Sequence, residues 1–169
     1  MNKFKQISPL ELNESPFRLI GKEWMLITAG TIENWNTMTA SWGMMGEIWF
    51  KPAVFIFLRP QRYTLEFVEK EEIFTLSFFD ESYRTALNFC GANSGRDCDK
   101  ADETGLTPMP TENGSVAFEE ARLIVECRKM YFQDLDPAHF LDPAIEKCYP
   151  KQDVHRLFAG EVVQALRSA

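Results

Sequence analysis

The sequence predicts a mainly β fold, a β-barrel with short helical inserts, in a single domain that spans residues 1–169. Short apolar segments bounded by Gly or Pro recur along the chain, as expected for strands. Helical patterns are few and do not alternate with the strands in the way that a doubly wound sheet requires. The aromatic content of 13%, with 14 Phe, favours a β-rich interior or a large apolar interface.

Four strands are predicted in the first half of the chain, at residues 24–30, 38–42, 53–59 and 73–79. The third is a continuous apolar run bounded by Pro52 and Pro60. Residues 64–70 have the spacing of a helix with Thr64 as its N-cap. Asp80 is predicted to cap a second helix, which stops at Gly91.

The second half begins with a polar, turn-rich segment over residues 92–105, in which Ser94 to Arg96 could open a short helix that ends at Gly105. A long β-like stretch is expected at residues 117–135, followed by a short helix at residues 144–148. The final predicted strand covers residues 155–166, and Gly160 within it indicates a β-bulge.

Composition excludes several classes of function. A net charge of −7 and a pI near 4.9 disfavour nucleic-acid binding. No apolar run is long enough to span a membrane, and the N-terminus lacks the apolar core of a signal peptide. We therefore expect a cytoplasmic protein that binds neither nucleic acid nor membrane, and whose four cysteines stay reduced.

Catalytic and metal motifs are missing as well. The sequence has no G-x-G-x-x-G after a strand, no phosphate-binding P-loop, no H-E-x-x-H and no nucleophile elbow. It has only two histidines, and its cysteine spacings do not fit structural zinc. We predict no metal site.

One stretch, residues 36–64, has the side chains for a phosphorylated aromatic ligand. Hydroxyls and an amide at its start (Asn36, Thr37, Thr39, Ser41) suit the polar edge of a flat heterocycle, whereas Arg59, Arg62, Tyr63 and Thr64 at its end suit a phosphate. Each half has a structural alternative: the hydroxyls are ordinary on a strand, and the arginines could pair with Glu66 or Glu69 at the surface. Lys100 in a third polar segment favours the ligand interpretation.

The sequence contains three segments in a particular order: N-x-M-T-A-S-W, then K-P-A-V-F-I-F-L-R-P-Q-R-Y-T, then S-G-R-D-C-D-K with T-G-L-T-P behind it. This order resembles the flavin reductase-like FMN-binding split-barrel family, in particular its flavoredoxin-type members. The resemblance runs over residues 24–163. It implies an FMN-binding split barrel that forms a homodimer and holds FMN near the subunit interface.

The resemblance also implies roles for individual residues. Those that would line the isoalloxazine ring are Asn36, Met38, Thr39, Ala40 and Ser41. Those that would surround the ribityl chain and phosphate are Arg59, Arg62, Tyr63, Thr64 and Lys100.

The family's closing strand often opens with an Asp-His pair whose His lies near the nicotinamide. Here Val154 separates Asp153 from His155. A catalytic role for His155 facing the nicotinamide is therefore a hypothesis, and its structural alternative is a strand-end histidine bonded to the backbone.

The expected function is that of a flavin reductase-like oxidoreductase, which moves hydride or electrons between NAD(P)H or a redox protein and flavin. The acidic surface suits a basic redox partner. Two alternatives stay open: a non-catalytic flavin carrier or sensor, and a related split barrel that binds haem or pyridoxal phosphate.

Overall fold

The computed structural model describes residues 3–169, and an antiparallel sheet of eight strands dominates it. The strands of this sheet are β1 (Phe4–Ile7), β2 (Met25–Thr31), β3 (Asn34–Ala40), β4 (Gly43–Ile48), β5 (Lys51–Leu58), β6 (Ile73–Phe78), β9 (Leu123–Asp134) and β10 (Arg156–Ser168), while β7 (Pro108–Pro110) and β8 (Val116–Phe118) form a separate hairpin.

Helices are short. The α-helices are α1 (Pro16–Arg18), α2 (Tyr63–Lys70), α3 (Arg84–Ala92) and α4 (Lys100–Thr104); 3-10 turns lie at Pro9–Glu11, Glu81–Tyr83, Pro137–His139 and Pro143–Cys148, and a π-turn at Leu19–Glu23. Among residues 3–169, none of the helices has the length and apolar character needed to cross a bilayer.

The strand order in the main sheet is β3-β2-β6-β9-β10-β5-β4, and β1 also pairs with β10. Strands β2 and β3 form one hairpin and β4 and β5 another. Strands β3 and β4 therefore follow each other closely in the sequence but lie at opposite ends of this order. The mainly β fold with short helical inserts is confirmed.

Apolar side chains fill both faces of the central strands. Leu123 and Val125 belong to a core that also receives Val68 of α2, whereas Ile124 belongs to a second core beneath Leu87 of α3. This double burial explains why the sequence of β9 lacks clean alternation.

Most strand predictions match the structure. Strands β2, β5 and β6 lie where they were expected. The register between β10 and β9 shifts at Gly160, but the residue skipped there is Met130 of β9, and β10 itself skips Val163 at a second shift. The predicted strand at residues 38–42 instead covers Asn34–Ala40, and the predicted stretch at residues 117–135 is interrupted between β8 and β9. Strand β4, in which Met44 and Gly46 are exposed, was not predicted.

The helix-cap predictions were less accurate. Helix α2 begins at Tyr63 with Arg62 as its N-cap, so Thr64 lies inside the helix and its hydroxyl bonds to Asn36 instead. Asp80 precedes a 3-10 turn without a side-chain cap bond, and α3 continues through Gly91 to Ala92. Ser94 to Arg96 forms a turn, and Asp99 caps α4, which does end at Gly105.

Gly160 provides a test of how tightly the bulge is packed. A Cβ atom at this position would lie 2.7 Å from Cζ of Phe74, whose ring is fully buried, and 3.0 Å from Cβ of Cys127. We predict that Gly160→Ala lowers the free energy of unfolding by about 1–3 kcal/mol through overpacking, as measured by urea denaturation.

Gly46 in β4 is the matched control, because nothing lies within 4 Å of a Cβ atom added there. Gly46→Ala should leave the stability unchanged or raise it by less than about 1 kcal/mol. Equal stabilities for the two variants would contradict the packing described at the bulge.

Candidate functional site

Two small adjoining cavities lie where β3, the end of β5 and the loop after α3 meet. The first, of about 240 Å³, is lined by Met38, Thr39, Ala40, Ser41, Trp42, Phe57, Arg59, Arg62 and His155. The second, of about 150 Å³, is lined by Asn36, Met38, Gln61, Arg62, Tyr63, Thr64, Ala92, Asn93, Ser94, Gly95 and Lys100. Met38 and Arg62 line both, so the two cavities adjoin, and together they are called the cleft.

Strand β3 forms the floor of this cleft, and its polar side chains are already hydrogen-bonded within the protein. The Asn36 amide donates to Oγ1 of Thr64 at 2.8 Å, and the Thr39 hydroxyl donates to the carbonyl of Leu87 in α3. These bonds tie β3 to α2 and α3. A ligand on this floor would therefore meet a rigid surface.

Arg62 stands between the two cavities. Its Nη1 donates to the carbonyl of Gly91 at 2.7 Å, and the side chain is half-buried. Burial lowers the pKa of Arg62, and the positive charge of Arg59 lowers it further. Among residues 3–169 no carboxylate pairs with Arg62, so its charge is not balanced within the protein.

Lys100 is buried below the second cavity, with only 6% of its surface exposed. Its Nζ donates to the carbonyl of Thr37 at 2.7 Å and to that of Cys90 at 2.9 Å. Burial lowers its pKa, although the neighbouring Cys90 acts in the opposite direction. As for Arg62, no carboxylate among residues 3–169 pairs with it.

Arg59 is held differently. Its Nη1 donates to Oδ2 of Asp153 at 2.6 Å and its Nη2 to the carbonyl of Cys148 at 2.8 Å. Gln61 also donates to Oδ2 of Asp153, at 2.8 Å. These two hydrogen bonds lower the pKa of Asp153 to about 2. Arg59 thus joins the end of β5 to the segment that precedes β10.

The loop after α3 approaches β3 very closely at Gly95. A Cβ atom at Gly95 would lie 1.9 Å from Oδ1 of Asn36. Nearby, the guanidinium of Arg96 stacks over the ring of Tyr63 at 4.3 Å and pairs with Glu66. The wall of the second cavity therefore requires glycine at position 95.

His155 closes the other end of the cleft. Its ring lies 4.9 Å from that of Trp42 and 6.4 Å from that of Phe57, measured between centroids. Its Nδ1 is 2.8 Å from the hydroxyl of Tyr149. Burial and the positive charges of Arg59 and Arg62 lower the pKa of His155 to about 4, against the opposing effect of Asp153.

The comparisons with known proteins agree with this architecture. The family model for the flavin reductase-like domain matches residues 17–168. That match covers most of the sequence. The chain belongs to the flavin reductase-like domain family.

Solved structures show the same split-barrel fold at low identity. An FMN-binding domain of a flavin reductase-like enzyme from Shewanella baltica is 17% identical, with a TM-score of 0.71 and coverage of 98% of this chain and 77% of that chain. Flavoredoxin from Methanosarcina acetivorans is 20% identical, with a TM-score of 0.65 and coverage of 85% and 67%.

An NADH:FAD oxidoreductase from Streptomyces globisporus, in complex with NAD and FAD fragments, is 18% identical, with a TM-score of 0.66 and coverage of 86% and 74%. No curated protein matches the sequence.

In this flavin reductase-like chain, all the candidate site residues predicted from the sequence line the cleft, with the exception of Thr37. The hydroxyl of Thr37 instead forms hydrogen bonds within the sheet, with the hydroxyl of Thr28 and with the carbonyl of Ile27. The surface pairing with Glu66 or Glu69 is wrong, because those carboxylates pair with Arg96 and Arg156. The assigned contacts of the cleft residues with ring and phosphate remain predictions.

Sequence reasoning missed several residues of the cleft. Trp42, Phe57 and Gly95 lie in quoted motifs but received no role in the site, and Asn93 lies in the polar, turn-rich segment. Tyr149 was also missed, because only the fold brings it to His155. Among residues 3–169 no cluster could hold a metal ion, and all four cysteines are free thiols.

The lowered pKa of His155 makes the stability of the fold dependent on pH. Unfolded His155 gains a proton near its ordinary pKa of 6.5, whereas the folded protein resists protonation down to about pH 4. Stability is therefore lost as the pH falls through this window. We predict that wild type loses about 2–3 kcal/mol more than His155→Gln between pH 7 and pH 4, as measured by urea unfolding.

His139 provides the control, because its side chain is 81% exposed. His139→Gln should lose as much stability as wild type over the same range. An equal loss of stability in His155→Gln and in wild type would show that the fold does not lower the pKa of His155.

Proposed function

We propose that this protein binds FMN in the cleft and acts as a flavin reductase-like oxidoreductase. The observation that supports the proposal is a pair of inward cations, Arg62 and Lys100, for which residues 3–169 provide no carboxylate partner. Buried positive charge without a counter-ion is unfavourable, and a phosphate dianion would compensate it. This charge stands out in a chain with a net charge of −7.

The remaining donors of the cleft fit the same ligand. Arg62 uses one terminal nitrogen for Gly91, which leaves the other for an anion. The loop at Asn93 to Gly95 brings backbone close to the second cavity, and backbone N–H groups in such loops bind phosphates. Arg62, this loop and the Lys100 charge would hold the phosphate end.

The first cavity fits the ring end. Residues 38–41, at the end of β3 and just after it, line this cavity together with Trp42 and Phe57, so it offers aromatic surface beside polar groups. When bound, FMN supplies a ring system that takes up a hydride and passes electrons on. The β3 floor would orient that ring, and His155 would line the same cavity.

We propose NAD(P)H or a redox protein as the electron source, supported by family membership and by the NAD fragment in the Streptomyces globisporus enzyme. A cytoplasmic location is part of the proposal, and the four free thiols are typical of a reducing compartment.

The first test compares FMN with riboflavin, which lacks the phosphate. We predict that Arg62→Ala weakens FMN binding by about tenfold to a hundredfold, the usual loss for a hydrogen bond to a charged group. Riboflavin binding should change much less. Fluorescence titration measures both affinities.

Arg128, exposed on β9, is the matched control for removal of one positive charge. Arg128→Ala should bind FMN as wild type does. Equal losses for FMN and riboflavin in Arg62→Ala would place the phosphate elsewhere, and wild-type protein that binds neither flavin would contradict the proposed function.

Two further measurements separate the alternatives. A carrier or sensor would bind FMN but show no NAD(P)H oxidation above that of free flavin. A haem-binding barrel would show a Soret band. Pyridoxal phosphate commonly bonds to a lysine amine, and here the Lys100 amine already donates to two carbonyls.

We also propose that the protein is a homodimer. An aromatic patch, formed by Met44, Trp49, Phe50 and Tyr131, lies on one side of the sheet and is 44–98% exposed. Trp49 and Phe50 form the turn between β4 and β5 with φ values of 54° and 58°, where Asn or Gly is usual. Exposed aromatics at strained positions indicate a contact surface, and a two-fold dimer can bury such a patch against its own copy.

The dimer prediction is tested by sedimentation velocity. Phe50→Ser combined with Tyr131→Ser should convert the dimer to a monomer, because both substitutions remove apolar contact area. Leu141→Ser, at a residue that is 97% exposed outside the aromatic patch, should stay dimeric. A wild-type monomer at micromolar concentration would contradict this proposal without affecting the flavin proposal.

A further inference from the structure

We propose that Tyr149 is a positioning residue for His155: its hydroxyl donates to Nδ1 and so holds the imidazole in the tautomer that carries its proton on Nε2. An uncharged N–H donor then faces the cleft. This inference deepens the proposed function, because it specifies which ligand atom His155 can bind. Its test does not require bound flavin.

The direction of the hydrogen bond follows from the partners available. Tyr149 and His155 are 8% and 7% exposed, and their polar atoms are 2.8 Å apart. Burial raises the pKa of Tyr149, so its hydroxyl keeps its proton. Within residues 3–169, His155 is the one hydrogen-bond partner of this hydroxyl. If Nδ1 carried the ring proton, the phenol proton would have no acceptor there.

Tyr149 is itself held on both sides. The ring of Phe140 stacks on it at 5.8 Å with an interplanar angle of 17°, and the guanidinium of Arg59 lies 5.2 Å from its centroid. Arg59 is in turn fixed by Asp153 and by the carbonyl of Cys148. The hydroxyl therefore has a fixed position relative to His155.

Burial, and then the charges around it, keep His155 neutral. Arg59 and Arg62 at the end of β5 are positive, and Asp153 before β10 is negative but already shared between Arg59 and Gln61. The burial of the ring and the net effect of these three charges disfavour the imidazolium. With Nδ1 occupied by Tyr149, Nε2–H is the group left for a ligand, and among residues 3–169 it has no hydrogen-bond partner.

A neutral donor selects a neutral acceptor. Nε2–H, flanked by Trp42 and Phe57, suits the carbonyl oxygen of a flat conjugated ring or amide better than a carboxylate or phosphate. The uncharged donor of His155 would thus add a second kind of recognition to a cavity that Arg59 and Arg62 also line.

The experiment is nitrogen-15 NMR of the imidazole groups in the protein as purified. The chain has only two histidines, and the exposed His139 serves as an internal reference. We expect His155 in wild type to show a protonated Nε2 and a hydrogen-bonded, unprotonated Nδ1 at neutral pH. A protonated Nδ1, or a fast average of the two tautomers, would overturn the proposal without any variant.

Tyr149→Phe then tests the role of the hydroxyl, since it keeps the ring that packs against Phe140 and Arg59. We expect tautomer averaging at His155 and a higher pKa, because the bond that stabilises the neutral ring is lost. Tyr131→Phe, which removes an exposed hydroxyl bonded to Gln133, is the control and should leave His155 unchanged. Unchanged His155 signals in Tyr149→Phe would contradict the positioning role.

Discussion

A buried ammonium group holds together the segments that form the cleft. Lys100, at the start of α4, donates to carbonyls of β3 and α3, and so fixes the loop between the two helices against the edge of the sheet. The close approach of Gly95 to Asn36 depends on that loop position, and Arg62 donates to the carbonyl of Gly91 near the end of α3. Lys100, which the sequence presented as a phosphate ligand, therefore also stabilises the fold, and its ammonium group places positive charge beneath the second cavity.

The fold could be predicted from sequence wherever one physical signal dominated. Strand β5 is an apolar run between prolines, and Gly160 marks one of the two register shifts between β10 and β9. Strand β4 escaped prediction because its pattern of Gly, Met and Glu has little β-propensity, and pairing with β5 supplies its order. The cap at Thr64 was misread because a long-range bond to Asn36 outweighs local capping.

The site was predictable in composition but not in geometry. The sequence places hydroxyls and cations in order, and the structure brings nearly all of them to one cleft. The spacing of residues in the sequence does not show that Arg59 bonds to Asp153, or that Tyr149 reaches His155 across an irregular segment. Both contacts depend on how the chain between β9 and β10 folds back over the end of β5, which no local pattern encodes.

The central claim is that the unpaired charge of Arg62 and Lys100 exists to hold a flavin phosphate on a rigid β3 floor. The absorbance spectrum of the protein as purified tests this most directly. We predict a yellow protein with a flavin spectrum, which releases FMN on denaturation. A colourless protein that cannot be reconstituted with FMN would contradict it.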